Sequence, residues 1–452
     1  MAKYAVLNKD WALRGWTTLE KAAVNTVSGR VVPLVNRADY VLRSCDGKTD
    51  FEMPIFLDTH LEILNILEKQ KIVTIMDTES SIQPYQKFRK AECPYVMNVH
   101  WAITGRCNLK CMHCFMESPS IRSDNPTFKQ IETTVKSFIE ANVPAVSLTG
   151  GEPLIRKDLF DIIALLNSEH IAVRQIYTNG ILITEEILKK FEALPFKVQF
   201  NVSFDGVGWH DRMRGLKGTE EKTLRAIRMI KEAGHELCVA TTIDRLSVVS
   251  LFETYETMKQ YGVGVWRIMT AEDSGNWHEH RDLSLTLDEE LKAYSPLFKR
   301  WHEDGHPMVV QFGYLFDGRK EGFEEFKPPV TIKHDAKSKA CSTCAYSTYL
   351  GPEGKLLPCH IYTGTELEKQ LPSIYEVGFA GAYNNELLRS INDMTIGDLF
   401  GENPECEGCA HLERCGIGCR AKAYSDYGKV TAKDGQMCAV MLNKYTERMQ
   451  EI

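Results

Sequence analysis

The chain has 452 residues, with 43% apolar and 25% charged side chains and a formal net charge of −7 at pH 7. These are the proportions of an ordinary globular protein with room for about three domains, and the acidic balance gives no support to a nucleic-acid-binding surface. No early apolar run reads as a signal peptide and none is long enough to span a bilayer, so the expectation is a cytoplasmic protein without a membrane partner.

Residues 1–92 read as a small folded unit. A short strand is expected at 4–7, then a polar stretch, then a hairpin over 23–34 with Ser28-Gly29 at its turn. A helix over 37–44 and a turn at Asp46-Gly47-Lys48 follow. Next come an amphipathic helix over 57–69, with Leu61, Ile63, Leu64, Ile66 and Leu67 on one face, and a strand at 72–75. Cys45 stands alone here and reads as a buried thiol. Residues 79–92, polar and interrupted by Pro84, read as a linker.

From about residue 95 strand and helix signals alternate, with strands at 96–103, 145–148, 172–177, 198–204, 237–243 and 263–269. Such alternation implies βα units on a parallel sheet, and in βα barrels reactive groups gather at the C-terminal ends of the strands. The first strand leads into Cys107-Asn108-Leu109-Lys110-Cys111-Met112-His113-Cys114, three thiols on one short loop. Three thiolates on a four-iron cube leave one iron without a protein ligand, the open position that chemistry needs. A structural zinc knuckle is the alternative, although zinc usually takes four ligands in pairs.

The motifs after the next strands carry a resemblance. C-x3-C-x2-C with His113 before the last cysteine, followed by Thr149-Gly150-Gly151-Glu152-Pro153, resembles the signature of the radical S-adenosylmethionine (SAM) superfamily. The resemblance implies a partial (β/α)6 barrel over 93–270. Its cluster, held by Cys107, Cys111 and Cys114, binds SAM and yields a 5'-deoxyadenosyl radical that abstracts a substrate hydrogen. Gly150, Gly151, Glu152 and Pro153 would bind SAM, with Glu152 reaching its ammonium. Tyr177-Thr178-Asn179-Gly180 resembles the family's T-N-G turn, which makes Thr178 and Asn179 cofactor candidates. Val202-Ser203-Phe204-Asp205-Gly206 and His210-Asp211-Arg212-Met213-Arg214-Gly215 resemble motifs of members with a C-terminal SPASM domain. Ser203 is then a cofactor candidate, Asp205 a catalytic one, and Arg214 a partner for the SAM carboxylate; a plain turn and a surface ion pair are the bland readings. Cys238, in the fifth strand, either returns a hydrogen atom to a substrate radical or is simply a small hydrophobe. Trp266 and Arg267 could pack near adenine, their facing being unreadable from sequence.

Residues 271–340 are expected to bridge the barrel to the next domain through helices, on amphipathic stretches at 287–301 and 314–326. Residues 341–452 hold the second cysteine-rich region: Cys341, Cys344, Cys359, Cys406, Cys409, Cys415, Cys419 and Cys438. Its spacing resembles the SPASM domain with two auxiliary [4Fe-4S] clusters, and eight thiols suffice for two cubes. The resemblance implies crossed ligation, Cys341, Cys344, Cys359 and Cys419 on one cluster and Cys406, Cys409, Cys415 and Cys438 on the other. Cys341 departs from the pattern; without it the first auxiliary cluster would have an open iron. Eleven of 14 cysteines are then assigned, too few remaining for a disulfide framework.

The N-terminal unit resembles the winged-helix, PqqD-like element of peptide-modifying radical SAM enzymes, which captures a precursor's leader as an added strand; a barrel cap without binding role is the alternative. The whole is expected to be a maturase of a ribosomally made peptide, with a flavodoxin- or ferredoxin-like electron donor. It would form a thioether or carbon-carbon crosslink; a peptide epimerase or a sulfatase-activating type of maturase are the alternatives.

Overall fold

The computed structural model describes residues 3–118, 125–318 and 333–451. The N-terminal unit holds strands β1 (Tyr4–Leu7), β2 (Trp11–Gly15), β3 (Ala22–Asn25) and β4 (Val31–Pro33), helices α1 (Asn36–Ser44) and α2 (Asp58–Lys69), and strands β5 (Val73–Met76) and β6 (Arg89–Lys90). β1 pairs with β5, while β4, β3, β2 and β6 form a second sheet in that order. The expected hairpin is β3 with β4, antiparallel.

Three expectations for this unit need correcting. The stretch after β1 is not a polar loop, because β2 lies inside its sheet with all five residues buried. A charge can be buried there because the Arg14 guanidinium donates to the carbonyls of Leu13, Lys87 and Tyr85 at 2.8, 3.2 and 2.8 Å. By the same contacts residues 79–92 are no slack linker: β6 adds to β2, and the buried Gln86 amide donates to the carbonyls of Leu7, Asn8 and Trp11. On α2, Leu64 and Leu67 are buried but Ile66 stays 53% exposed, outside the expected face.

The barrel contains β7 (Asn98–Ala102), α3 (Phe128–Glu140), β8 (Ala145–Thr149), α4 (Leu159–Ser168), β9 (Ala172–Thr178), α5 (Glu185–Glu192) and β10 (Gln199–Ser203). It continues with α6 (His210–Arg214), α7 (Thr219–Glu232), β11 (Leu237–Ile243), α8 (Leu251–Gln260) and β12 (Val265–Thr270). All six expected strands are present and parallel. The sheet extends further at both edges. After α9 (Leu287–Glu303), β13 (Val309–Phe312) pairs parallel with β12 and carries the short antiparallel β14 (Phe316–Asp317). The helix expected over 314–326 is therefore a turn and a strand where described, and the rest of that stretch lies outside the described residues. At the other edge, after α10 (Ser342–Tyr346), β15 (Ser347–Leu350) runs parallel to β7 and pairs with β16 (Leu356–Leu357). Seven helices complete the described chain: α11 (Glu366–Gln370), α12 (Ile374–Tyr383), α13 (Glu386–Asn392), α14 (Leu412–Cys415), α15 (Arg420–Tyr427), α16 (Gly435–Leu442) and α17 (Tyr445–Gln450).

Period-two alternation divides the strands between two environments. Val202, Val239, Trp266 and Ile268 face the helices in the main core, whereas Gln199, Asn201, Cys238, Ala240, Val265, Arg267 and Met269 line the lumen. The N-terminal unit docks at the strands' N-terminal end. Trp16 donates to the Ala141 carbonyl at 3.0 Å, Asn142 bonds Gly15 and Arg89, and Tyr85 stacks on His170 at 3.5 Å. Among the described residues no helix is long and apolar enough to cross a membrane.

Candidate active site

The loop after β7 carries Cys107, Cys111 and Cys114, and its neighbours fix its path. Gly151 N–H donates to the Thr104 carbonyl and Glu152 N–H to the Arg106 carbonyl, both at 2.9 Å. This explains the double glycine: an added Cβ at Gly150 would lie 2.3 Å from the Thr104 oxygen, and one at Gly151 2.1 Å from the Arg106 oxygen. Pro153, buried, opens the short turn Pro153–Ile155 that follows.

Glu152 is fully buried, and burial pushes its carboxyl up to about 7 against the hydrogen bonds it accepts. It accepts from Asn179 N–H at 2.7 Å, Thr178 Oγ1 at 2.8 Å and Leu154 N–H at 3.1 Å. Three of a carboxylate's roughly four acceptor positions are thus taken by the protein, leaving about one toward a SAM ammonium. Asn179 in turn donates from its side chain to Asn108 Oδ1, inside the cysteine loop, at 2.8 Å. The T-N-G turn, the GGEP segment and the cysteine loop are one hydrogen-bonded assembly.

Asp205 and Arg214 form a buried pair, Oδ2 to Nε at 2.6 Å, with a further Oδ1 contact to Nη2 at 3.0 Å. Burial alone would raise Asp205; Arg214, His113 and His210 overcome it and hold the carboxyl below its usual range. Arg214 Nη1 reaches Cys111 Sγ at 3.6 Å, and Met112 N–H donates to the Met213 carbonyl at 2.9 Å. Arg214 is therefore not a surface ion pair: it is buried between Asp205 and the Cys111 thiol. Asp205, for its part, holds Arg214 and accepts from Thr242 N–H at 3.1 Å. Ser203, half-buried, lies on the same strand face as Gln199 and Asn201.

Residues after β12 close the other side of the loop, and nothing in the sequence marked them. Asn276 donates from its side chain to the Cys111 carbonyl at 3.0 Å and from its N–H to the Cys114 carbonyl at 3.1 Å. Gly275 at φ 54° packs so tightly that a Cβ would stand 2.2 Å from the Cys114 oxygen.

The lumen is a cavity of about 630 Å³. Cys238 lies in its wall, as do Arg267, His100 and His360. Trp266 does not; fully buried, it donates to Thr241 Oγ1 at 2.7 Å on the helix side. A second cavity, of about 410 Å³, shares Gln199 and Val265 with the lumen and lies at the strands' N-terminal ends.

The C-terminal thiols gather in two groups. Cys344 is raised by its hydrogen bonds to Cys341 and Cys359, and Cys341 is lowered to about 6, chiefly by Cys344. Burial, with the charges of Cys359 and Cys341, pushes Cys419 up to about 12. Cys359 also borders the lumen. Cys406, Cys409, Cys415 and Cys438 ring a separate cavity of about 30 Å³. The crossing arises at Cys419, which sits at the start of α15 while Arg420, fully buried, ties the loop by donating to the carbonyls of Ile417, Val430 and Ala432. Asp434 Oδ2 accepts from Cys419 N–H at 2.9 Å. No motif in the sequence singled out Arg420 or Asp434.

The chemistry of these donors fits iron–sulfur clusters. None of the 14 cysteines, all of them among the described residues, forms a disulfide, and the first group is sulfur-only and largely buried. Burial, with Glu152, Cys111 and Cys114 close by, pushes the Cys107 thiol up to about 12, a cost that bound iron would reverse. Among the described residues no three His, Cys, Asp or Glu side chains close on a single ion.

Comparison with known proteins gives the same answer for the barrel. Residues 101–259 match the radical SAM superfamily. The AdoMet-dependent heme synthase of Methanosarcina barkeri is 26% identical, covering 73% of this chain and 93% of that protein. The antilisterial bacteriocin subtilosin biosynthesis protein AlbA of Bacillus subtilis is 22% identical, covering 81% and 76%. Streptococcus suis SuiB bound to its precursor peptide SuiA shares the fold at TM-score 0.68 and 13% identity, over 96% of this chain and 99% of that one. The chain carries a radical SAM domain over residues 101–259 and is an enzyme of the radical SAM superfamily.

Proposed function

We infer that this enzyme oxidises a ribosomally made precursor peptide, forming a thioether or carbon-carbon crosslink. The observation that carries this reading is Cys359, which belongs to a group of four thiols and also stands in the wall of the lumen. A [4Fe-4S] cluster held by Cys107, Cys111 and Cys114 with SAM on its open iron would supply hydrogen abstraction from the substrate. Four thiols, Cys341 included, suffice to ligate a first auxiliary cluster fully, which favours taking up an electron over binding a substrate thiolate. Cys406, Cys409, Cys415 and Cys438 would hold the second.

The chain's own residues then have separable tasks. Glu152 and Asn179 fix the cysteine loop from below, Arg214 orients Cys111, and Asn276 holds the loop from the other side. The N-terminal unit supports leader capture: β4 pairs only with β3 among the described strands, leaving one edge for an added strand. The unit sits at the strands' N-terminal end, the end at which a second cavity shares Gln199 and Val265 with the lumen. A core segment held there gains effective concentration at the site.

The test is anaerobic reconstitution with SAM, dithionite and a precursor encoded beside the gene, followed by peptide mass and 5'-deoxyadenosine. Loss of two hydrogens supports the reading. Unchanged mass with deuterium taken from solvent replaces it with epimerisation through Cys238. A second reading, tetrapyrrole modification, is favoured by the heme synthase match over 93% of that protein; consumption of an iron porphyrin in the same assay would establish it.

A further inference from the structure

The lumen has an unusual charge inventory. Among the described residues that line it there is neither Asp nor Glu nor Lys, and Arg267 is the one arginine. It projects from the middle of β12, between Ala240 on β11 and Gln311 on β13. Ala240 is too short to cover it. Its Nε is buried and has no hydrogen-bond partner among the described residues, and the neighbouring Gln311 Oε1 is also buried without one. No ion pair among the described residues involves Arg267, whereas Arg212, Arg214 and Arg245 each meet a carboxylate. An acid does stand near this row at the mouth, where Glu236 accepts from Gln199 at 3.5 Å.

His100, on the lumen wall, does not share the charge: burial, and then Arg267 itself, holds it at about 4, so it is neutral near pH 7. A guanidinium kept without a counter-ion in a cavity is costly unless an anion arrives to pair with it, and its planar fork matches a carboxylate in two-point fashion.

We propose that Arg267 anchors a carboxylate of the substrate inside the lumen, either an Asp or Glu side chain of the core or its C-terminal carboxylate. This rests on the peptide reading above for the identity of the substrate, though not for the anion site. An anchored carboxylate would set which residue faces the cluster loop, which makes Arg267 a positioning residue for regiochemistry.

The first measurement needs no substrate. Ala240→Cys puts a thiol on the strand beside Arg267, and the cluster-loaded protein is alkylated with iodoacetate or iodoacetamide, with the label at position 240, told apart from Cys238 by fragment ions, quantified by mass spectrometry. The two reagents have nearly the same size and differ in charge, so their rate ratio isolates attraction of the anion. Adding Arg267→Gln should lower the iodoacetate-to-iodoacetamide ratio at least about tenfold, a floor that one unit charge about 3 Å away supplies even at the dielectric of bulk water; Arg267→Lys should largely preserve it. A ratio unchanged within twofold by Arg267→Gln, or no alkylation by either reagent, overturns the anion site. The second measurement uses the precursor. Each core acid is changed to its amide, and separately the C-terminus is amidated; one change should raise KM at least about tenfold in the wild type and little in Arg267→Gln. The responding position tells side chain from C-terminus. If the peptide is modified and no acid matters, the anchoring role falls. If the peptide is not modified at all while the alkylation ratio responds, the peptide reading falls and the anion site stands.

Discussion

Asp205→Asn tests whether the cysteine loop is held by a buried ion pair. The carboxylate is fully buried, 2.6 Å from Arg214 Nε, and Arg214 is itself 7% exposed. Removing one partner of such a pair leaves an uncompensated charge, which costs about 3–5 kcal/mol. The amide can still accept from Thr242, so that hydrogen bond is not what is lost. The measurement is the urea midpoint of cofactor-free protein followed by far-ultraviolet circular dichroism. The pair Asp205→Leu with Arg214→Met should cost far less than Asp205→Asn alone, because no buried charge remains. The pH dependence has a fixed sign. Asp205 is held below its unfolded value of about 3.9, so its contribution is present above that pH and is lost as pH falls through the folded value. The gap between wild type and Asp205→Asn should therefore narrow in acid. A loss under about 1 kcal/mol, or a double variant as unstable as the sum of the singles, would refute the argument.

Four further outcomes are expected. Gly151→Ala forces a Cβ to 2.1 Å from the Arg106 carbonyl and should lower cluster content, read as iron per chain, with little change in circular dichroism. Cys341→Ser should remove about a third of the iron if three four-iron clusters are present; retention of all iron would mean Cys341 is not a ligand. Trp16→Ala deletes a fully buried side chain and its bond to Ala141, costing about 3–5 kcal/mol, and should make the N-terminal unit the first piece released by limited proteolysis. Cofactor-free protein should be most stable near pH 6–7. Burial holds His100, His113 and His360 at about 4, so each takes a proton sooner when unfolded and stability falls as pH drops from about 6.5. Burial pushes Glu152 up to about 7 and Glu290 up to about 8, so their contribution is lost as pH rises through those values. A urea midpoint that is flat from pH 5 to 8 would contradict this.

How much was legible follows from how far each feature reaches along the chain. Cys107, Cys111 and Cys114 lie within eight residues, so their closeness is nearly covalent. The six barrel strands were legible for a similar reason: each is a short apolar run flanked by turn residues, and burial on the helix side rewards that pattern locally. β2 was missed because it contains Arg14; besides the adjacent Leu13 carbonyl, its donors are satisfied by carbonyls more than seventy positions away, at Tyr85 and Lys87, and these permit that burial.

The sequence by itself determined the chemistry on offer: sulfur donors in clusters, a glycine pair where two loops must touch, and alternating βα units. Tertiary structure decided who meets whom. Cys419 joins Cys341 and Cys359, Arg214 turns to Asp205, Asn276 reaches back 165 positions to Cys111, and Arg267 faces the lumen while Trp266 beside it faces the helices. These outcomes depend on strand register, in which a shift of one residue reverses every side chain, and on loops closed across the whole fold. Neither is encoded in any window of a few residues.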